Sequence, residues 1–283
     1  MSVMTAVSGV GGRVRRGLGQ PRLAVGLAIT LVVVLVAVVG PWVAPYGEQT
    51  IVGRPFTHEG SWLGTDYLGE DVWSRVLHGG RSILVIALLC TLVGMVVGVL
   101  IGIIAAYVGG WLDELIMRLN DVALAFPQIL LALLVLASVD EPKWWMIVAI
   151  VGISHAPRVA RLARGVAIGL VGRDFVASAE ALGESRTRVL LAEILPNMTA
   201  PLLAEAGLRL TYSIGMVAGI GFLGFSTNPS AADWGQMINE NRLALLVQPW
   251  AVLAPVIMIG IFAIGTNLMA DGISRMAATR SDS

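Results

Sequence analysis

The chain offers little for covalent chemistry. Its only lysine, Lys143, follows Pro142 in a short turn between apolar runs. A nucleotide-binding P-loop needs G-x-x-x-x-G-K-[ST], with its lysine on the β/γ-phosphates. No such motif occurs here, so any ATP chemistry must come from a partner. Nucleophilic catalysis needs a serine within reach of a base. The candidates are Ser226, after Gly221-Phe222-Leu223-Gly224-Phe225, and His155, after Ser154. Ser226 is followed by Thr227-Asn228, without the glycine of the usual serine elbow, which weakens the reading as an intramembrane protease. His58, His78 and His155 lack the i, i+4 spacing of a helical zinc pair, so no metal is expected. Cys90, the single cysteine, lies in an apolar run and reads as a small buried hydrophobe.

Charged residues inside apolar runs are more informative, because each is costly in a bilayer. Asp121 is either a pathway or gating carboxylate or a partner for an arginine or helix end, with Pro127 one and a half turns further on. Glu205 and Arg209 are spaced i, i+4 and are expected to pair on one helix face. Asp113 and Glu114 are expected at a membrane boundary, solvated. Gly94, Gly98 and Gly102 form a small-residue stripe that lets another helix approach closely, within the chain or between subunits.

The densest pattern is Arg173–Asn197, RDFVASAEALGESRTRVLLAEILPN. Phe175, Ala179 and Leu182 fall at i, i+4 and i+7, one face of a short helix. Gly183 is a natural stop. Ser185 is placed to cap a second helix carrying Val189, Leu190 and Ile194, which Pro196 ends. The expectation is two short helices with a bend at Gly183. Their apolar stripe covers the bundle's mouth or docks into a groove on a soluble partner.

These residues need a scaffold, and the composition says which kind. Of the 283 residues 56% are hydrophobic and 13% charged, with a net charge of zero. A soluble domain is nearer 45–50% apolar and about 25% charged. Apolar runs long enough to cross about 30 Å of hydrocarbon predict an all-α polytopic bundle with six spans. They fall at about 23–40, 82–107, 114–138, 144–163, 202–225 and 250–270, with kinks expected at Pro127, Pro157 and Pro255. The first span is read as retained, because it is longer than a signal core and no A-x-A-like site follows. Residues 1–22 read as a basic tail, 41–81 as an extracytoplasmic loop and 82–270 as the core. Within the core, 164–200 is a cytoplasmic loop, and 271–283 forms a C-terminal tail. The arginine excess orients the chain with both termini in the cytoplasm. Arg13, Arg15, Arg16, Arg22, Arg118, Arg158, Arg161, Arg164, Arg173, Arg186, Arg188, Arg275 and Arg280 then lie inside. Arg54, Arg75, Arg81, Lys143 and Arg242 lie outside.

Four motifs, in order, give the chain a family resemblance. Trp62-Leu63-Gly64-Thr65-Asp66, Leu68-Gly69, Asp71-Val72 and Ser74-Arg75 resemble an external segment of bacterial oligopeptide, dipeptide and nickel ABC importer permeases. Glu70 stands where that family usually has Arg. Arg118-Leu119, Asp121 and Ala125-Phe126-Pro127 are similar to its third-span motif. Ala177-Ser178-Ala179, Gly183 and Ile194-Leu195-Pro196-Asn197 resemble its "EAA" loop, with Ala177 in place of the first Glu and Ser178 in place of the middle Ala. Gly221-Phe222-Leu223-Gly224 with Trp234-Gly235 is similar to its late external loop. The chain looks most like the second, C-type permease.

The resemblance implies a type I importer permease (MetI-like) fold in the cell membrane. It implies a complex with a second, B-type permease, two ATPases that hold ATP and magnesium, and an extracytoplasmic binding protein. The cargo it implies is a peptide, or alternatively nickel or another small solute; no nucleic acid is expected, and lipid surrounds the bundle. Carried over residue by residue, the ATPase-coupling set is Phe175, Ala177, Ser178, Ala179, Glu180, Ala181, Leu182, Gly183, Glu184, Ser185, Arg188 and Pro196. Asp121, Pro127, Glu205 and Arg209 are candidates for the pathway or its gating. Trp62, Gly64, Asp66 and Trp234 are candidates for the binding-protein dock. A secondary transporter working alone through carboxylates such as Asp121 stays open as a different class.

Overall fold

A computed structural model describes residues 21–58, 61–225 and 231–281. The basic residues Arg13, Arg15 and Arg16, and Ser226 with Thr227, lie outside the described residues. Among the described residues ten helices, besides a 3-10 turn at Arg242–Ala244, organise the chain: α1 Pro21–Val43, α2 Val72–Val108, α3 Gly110–Ala125, α4 Gln128–Ala137, α5 Trp144–Val171, α6 Asp174–Ala181, α7 Arg186–Asn197, α8 Thr199–Phe222, α9 Trp234–Asn241 and α10 Trp250–Ser281. α7 passes through a π-helical stretch at Val189–Ile194. Among the described residues, β-pairing is confined to two isolated bridges in the segment 51–71.

Among the described residues four helices, α1, α2, α5 and α10, are long and apolar enough to cross a membrane. The pairs α3 with α4 and α7 with α8 qualify together, bent by 76° and 75°. That gives four crossings, or up to six if each bent pair is one span. Pro127 sits at the α3–α4 break, where its ring and missing N–H prevent a continuous helix. Pro157 and Pro255 lie inside helices that continue through them. Near Pro157, the Asn120 side-chain amide donates to its carbonyl at 2.8 Å, and Gln128 donates to the Ser154 carbonyl at 2.6 Å. Amides from the broken pair thus satisfy backbone groups beside the proline.

α2 begins ten residues before the expected span. Asp71 caps it by accepting from the Ser74 N–H at 2.8 Å. Its first turns contain Arg75, His78 and Arg81, which mask a helix when apolarity alone is read. α2 packs most extensively against α5. The glycine stripe makes this possible: a Cβ on Gly94 would stand 2.7 Å from His155 Cβ, and one on Gly98 would stand 2.5 Å from Val159 Cβ. A Cβ on Gly102 would meet the Ala160 carbonyl oxygen at 2.4 Å. The stripe therefore serves an internal contact, and α1 closes the other side against α10. Cys90 is fully buried in the resulting core.

The connections gather at two opposite ends. At one end the segment 44–71 meets α9, the Tyr67 N–H donating to Asn241 Oδ1 at 3.1 Å, and Trp234 Nε1 of α9 donates to the Val76 carbonyl of α2 at 2.8 Å. At the other end α6 and α7 fold beneath α2 and α5.

Candidate functional site

α6 is a two-turn helix with one buried edge. Val176 and Ala179, spaced i, i+3, pack with Val189, Ile194 and the inner ends of α2 and α5. Phe175 is half-buried against the same cluster. This corrects the expected face: Leu182 does not join it. The helix ends at Ala181, so Leu182 leaves the helical period and stands 83% exposed. The opposite edge, Ala177, Ser178 and Ala181, is also exposed.

The tip is fixed by hydrogen bonds. Gly183 has φ +79°, a conformation only glycine adopts freely. Its N–H donates to the Glu180 carbonyl at 3.0 Å, and the Glu184 N–H donates to the Ala179 carbonyl at 3.1 Å. This pair of bonds is a Schellman closure. Ser185 then caps α7, its Oγ accepting from the Arg188 N–H at 3.4 Å, while Arg188 pairs with Glu184 at 3.1 Å. Glu180 is held by α2, accepting from the Tyr107 hydroxyl at 2.6 Å. Pro196 lies in the last turn of α7, before the bend into α8. The result is an apolar knob on a braced hairpin.

Above it the charged residues form ion pairs. Asp121 pairs with Arg161 of α5, both well exposed. Asp113 was expected to be solvated; it is instead buried, with both its oxygens taken by Arg164 at 2.5 Å. The bidentate geometry suits a planar guanidinium, and the two pairs strap α3 to α5. Glu114 is exposed, opposite Arg118. Glu205 and Arg209 do pair, Nε lying 2.8 Å from Oε1 as a charge contact rather than an aligned hydrogen bond, with Tyr212 beneath the guanidinium. Nearby, buried His155 bonds Ser213 at 3.1 Å, and Ser213 bonds Thr91 at 3.0 Å. This polar chain joins α2, α5 and α8; sequence spacing gave no signal for it, because its members come from three separate spans. Among the described residues no group of His, Cys, Asp or Glu is arranged to hold a metal.

At the opposite end Gly64, Asp66 and Trp234 are buried, so they build the surface and do not present it. Asp66 accepts from the N–H groups of Leu68 and Glu70, each at 2.9 Å, and from Arg75. Arg75 also lies 3.1 Å from Glu70 and 3.1 Å from Glu240 of α9. Burial, with Asp66 and Glu240 adding to it and Arg75 opposing, pushes the Glu70 carboxyl above its ordinary range. Asp233 caps α9, accepting from Gly235 and Gln236. Exposed above this frame stand Trp62, Tyr67 and Leu68. Trp62 meets Trp73 edge-on, with ring centroids 5.2 Å apart.

Comparison with known proteins agrees with this layout. Residues 98–281 match the family described as "Binding-protein-dependent transport system inner membrane component". The glutathione transport system permease GsiD of Escherichia coli is 35% identical over 247 residues, covering 86% of this chain and 81% of that protein. GsiD of Pectobacterium atrosepticum is 34% identical over 255 residues, covering 89% and 84%. A chain of the MetNI methionine ABC transporter, solved in inward-facing conformations, superposes with a TM-score of 0.53 at 15% identity. It covers 70% of this chain and 96% of that one, a likeness of fold. The multi-pass bundle, its motifs and these relatives agree: the chain belongs to the inner membrane components of binding-protein-dependent transport systems and is a permease subunit of an ABC importer.

Proposed function

We propose that this permease forms half of the passage for a short peptide and that the α6–α7 hairpin docks into a separate ATPase subunit. The peptide reading rests on the relatives' designation as glutathione transport permeases. The carrying observation for docking is Leu182, 83% exposed at the end of a helix whose other edge is buried. An apolar side chain of this size on a braced tip fits a hydrophobic groove on a soluble partner.

In this reading a second permease completes the passage, two ATPases hold ATP and magnesium, and a binding protein delivers cargo. The hairpin side and both termini face the cytoplasm, as the arginine distribution favours. The segment 44–71 and α9 face outward, and Trp62, Tyr67 and Leu68 form the dock for the binding protein. Gly64, Asp66 and Trp234 set that surface from beneath. Closure of the ATPases acts by population shift: they bind the hairpin better in one state of the bundle than in the other. Motion reaches the bundle through the Tyr107–Glu180 bond and the buried Val176–Ala179 edge.

The test is a cysteine at Leu182 in the assembled complex. Cys90 is buried, so the new thiol is the accessible one. We expect Leu182→Cys to crosslink to the ATPase with a yield that changes with bound nucleotide. An active complex in which that thiol stays freely accessible to small reagents and never joins the ATPase would refute the docking.

A further inference from the structure

The ion cluster behind the external surface is unbalanced. Asp66, Glu70 and Glu240 surround the single guanidinium of Arg75. Their side chains are 0%, 7% and 11% exposed, and that of Arg75 is 4% exposed. If all three carboxylates were ionised, the site would carry two uncompensated negative charges in a water-poor interior. Carboxylates this close cannot all ionise cheaply. Glu70 adds a third carboxylate to Asp66 and Glu240 around the one guanidinium. An arginine there would give two cations for two carboxylates; Glu70 gives one for three.

We propose that Glu70 holds a proton in the folded protein and that this proton closes a pH-sensitive clamp between segment 61–75 and α9. The charged and titratable groups facing Glu70 are Asp66 and Tyr67 of its own segment, Arg75 of α2 and Glu240 of α9. Asp66 already accepts from two backbone N–H groups and from Arg75. Glu240 is the least buried and has Arg75 Nη2 to itself. Glu70 shares Arg75 Nη1 with Asp66 and lies between the other two acids in the charge balance. A neutral Glu70 can donate to a neighbouring carboxylate, whereas an ionised one repels it.

The direction of the pH effect follows. The folded Glu70 carboxyl titrates above its ordinary range, so its proton stabilises the clamp fully below the unfolded value, roughly 4.3. That contribution is lost as pH rises through the folded value. The clamp joins residues about 170 positions apart in sequence, and the Tyr67 N–H also donates to Asn241 Oδ1 across the same seam, at 3.1 Å. Trp62, Tyr67 and Leu68 stand directly on it. If that surface is the dock proposed above, raising the pH through the Glu70 titration loosens the dock; the clamp itself does not depend on that reading.

The test uses the purified full chain without partners, so it succeeds or fails independently of docking. Amide exchange in peptides 61–75 and 234–241, corrected for the intrinsic pH dependence, gives their opening constants. In the native chain these should rise with pH between the unfolded carboxyl's value and the folded one, by at most about tenfold per pH unit, the limit for one proton, and level off above the Glu70 titration. In Glu70→Gln, and in Glu70→Arg, which balances the charges, they should be flat. The same pH slope in native chain and Glu70→Gln overturns the proposal. Should both variants fail to fold, the native chain still decides. Its opening constants should rise with pH above roughly 4.3, and opening constants that stay flat refute the proton on Glu70.

Discussion

Gly183 has open space where a Cβ would stand, so the penalty for replacing it is conformational. A left-handed L-residue costs roughly 1–2 kcal/mol, and more when β-branched. We expect Gly183→Val to insert normally and to leave ATP hydrolysis running while uptake falls several-fold. Gly183→Asn, which tolerates this conformation, should retain most uptake. Uptake and hydrolysis measured on the same vesicles check this. A second prediction concerns Glu205. Removing it strands Arg209 in the interior, and breaking a buried pair costs about 3–5 kcal/mol. Glu205→Ala should therefore lower thermal stability sharply, and Glu205→Ala with Arg209→Met should recover much of it. Gly183, the Ser185 cap and the Glu205–Arg209 pair were legible because each is a local rule of spacing or backbone geometry. Leu182 was misread because the helical period was carried one residue past the helix end. Asp113 was misread because its partner, Arg164, comes from another helix 51 residues away.

Among the elements, the α2–α5 contact makes the clearest demand. Gly98→Leu would drive a side chain into Val159 Cβ and the Ala156 carbonyl, 2.5 and 2.6 Å from a bare Cβ. Overpacking of this kind costs typically 1–3 kcal/mol, and here backbone must also move. A Cβ at Gly165 would meet nothing within 4 Å, so Gly165→Leu serves as the control. A thermal-unfolding comparison in detergent should separate the two; equal stability would mean the helices are not held this closely. The α2 cap is a smaller test: Asp71→Ala should cost on the order of 1 kcal/mol. The stripe and the proline break were readable from sequence, since small residues every four positions and a proline after Phe126 have direct steric consequences. The early start of α2 was not. Its first turns owe their burial to Arg75 meeting acids from two other segments, which hydropathy scores as exposure. The 76° angle between α3 and α4 was equally out of reach, because a proline announces a break but not its direction.

As a whole, the molecule places an apolar knob at one end of a membrane bundle and, at the other, an aromatic surface set on a buried ion cluster. It carries no nucleotide motif of its own. The two ends are joined by α2, which contributes Arg75 to the clamp and Tyr107 to the hairpin. The membrane class was evident from composition, and the order of the four motifs pointed to the family; the pairing of ends needed three dimensions. The most direct test of the account is solute uptake into vesicles holding the chain with its partner permease and ATPases, compared with vesicles holding the chain alone. We expect peptide to accumulate only in the complete assembly, only with ATP, and not when residues 174–188 are scrambled. Accumulation by the chain alone, or undiminished uptake with the scrambled hairpin, would contradict it.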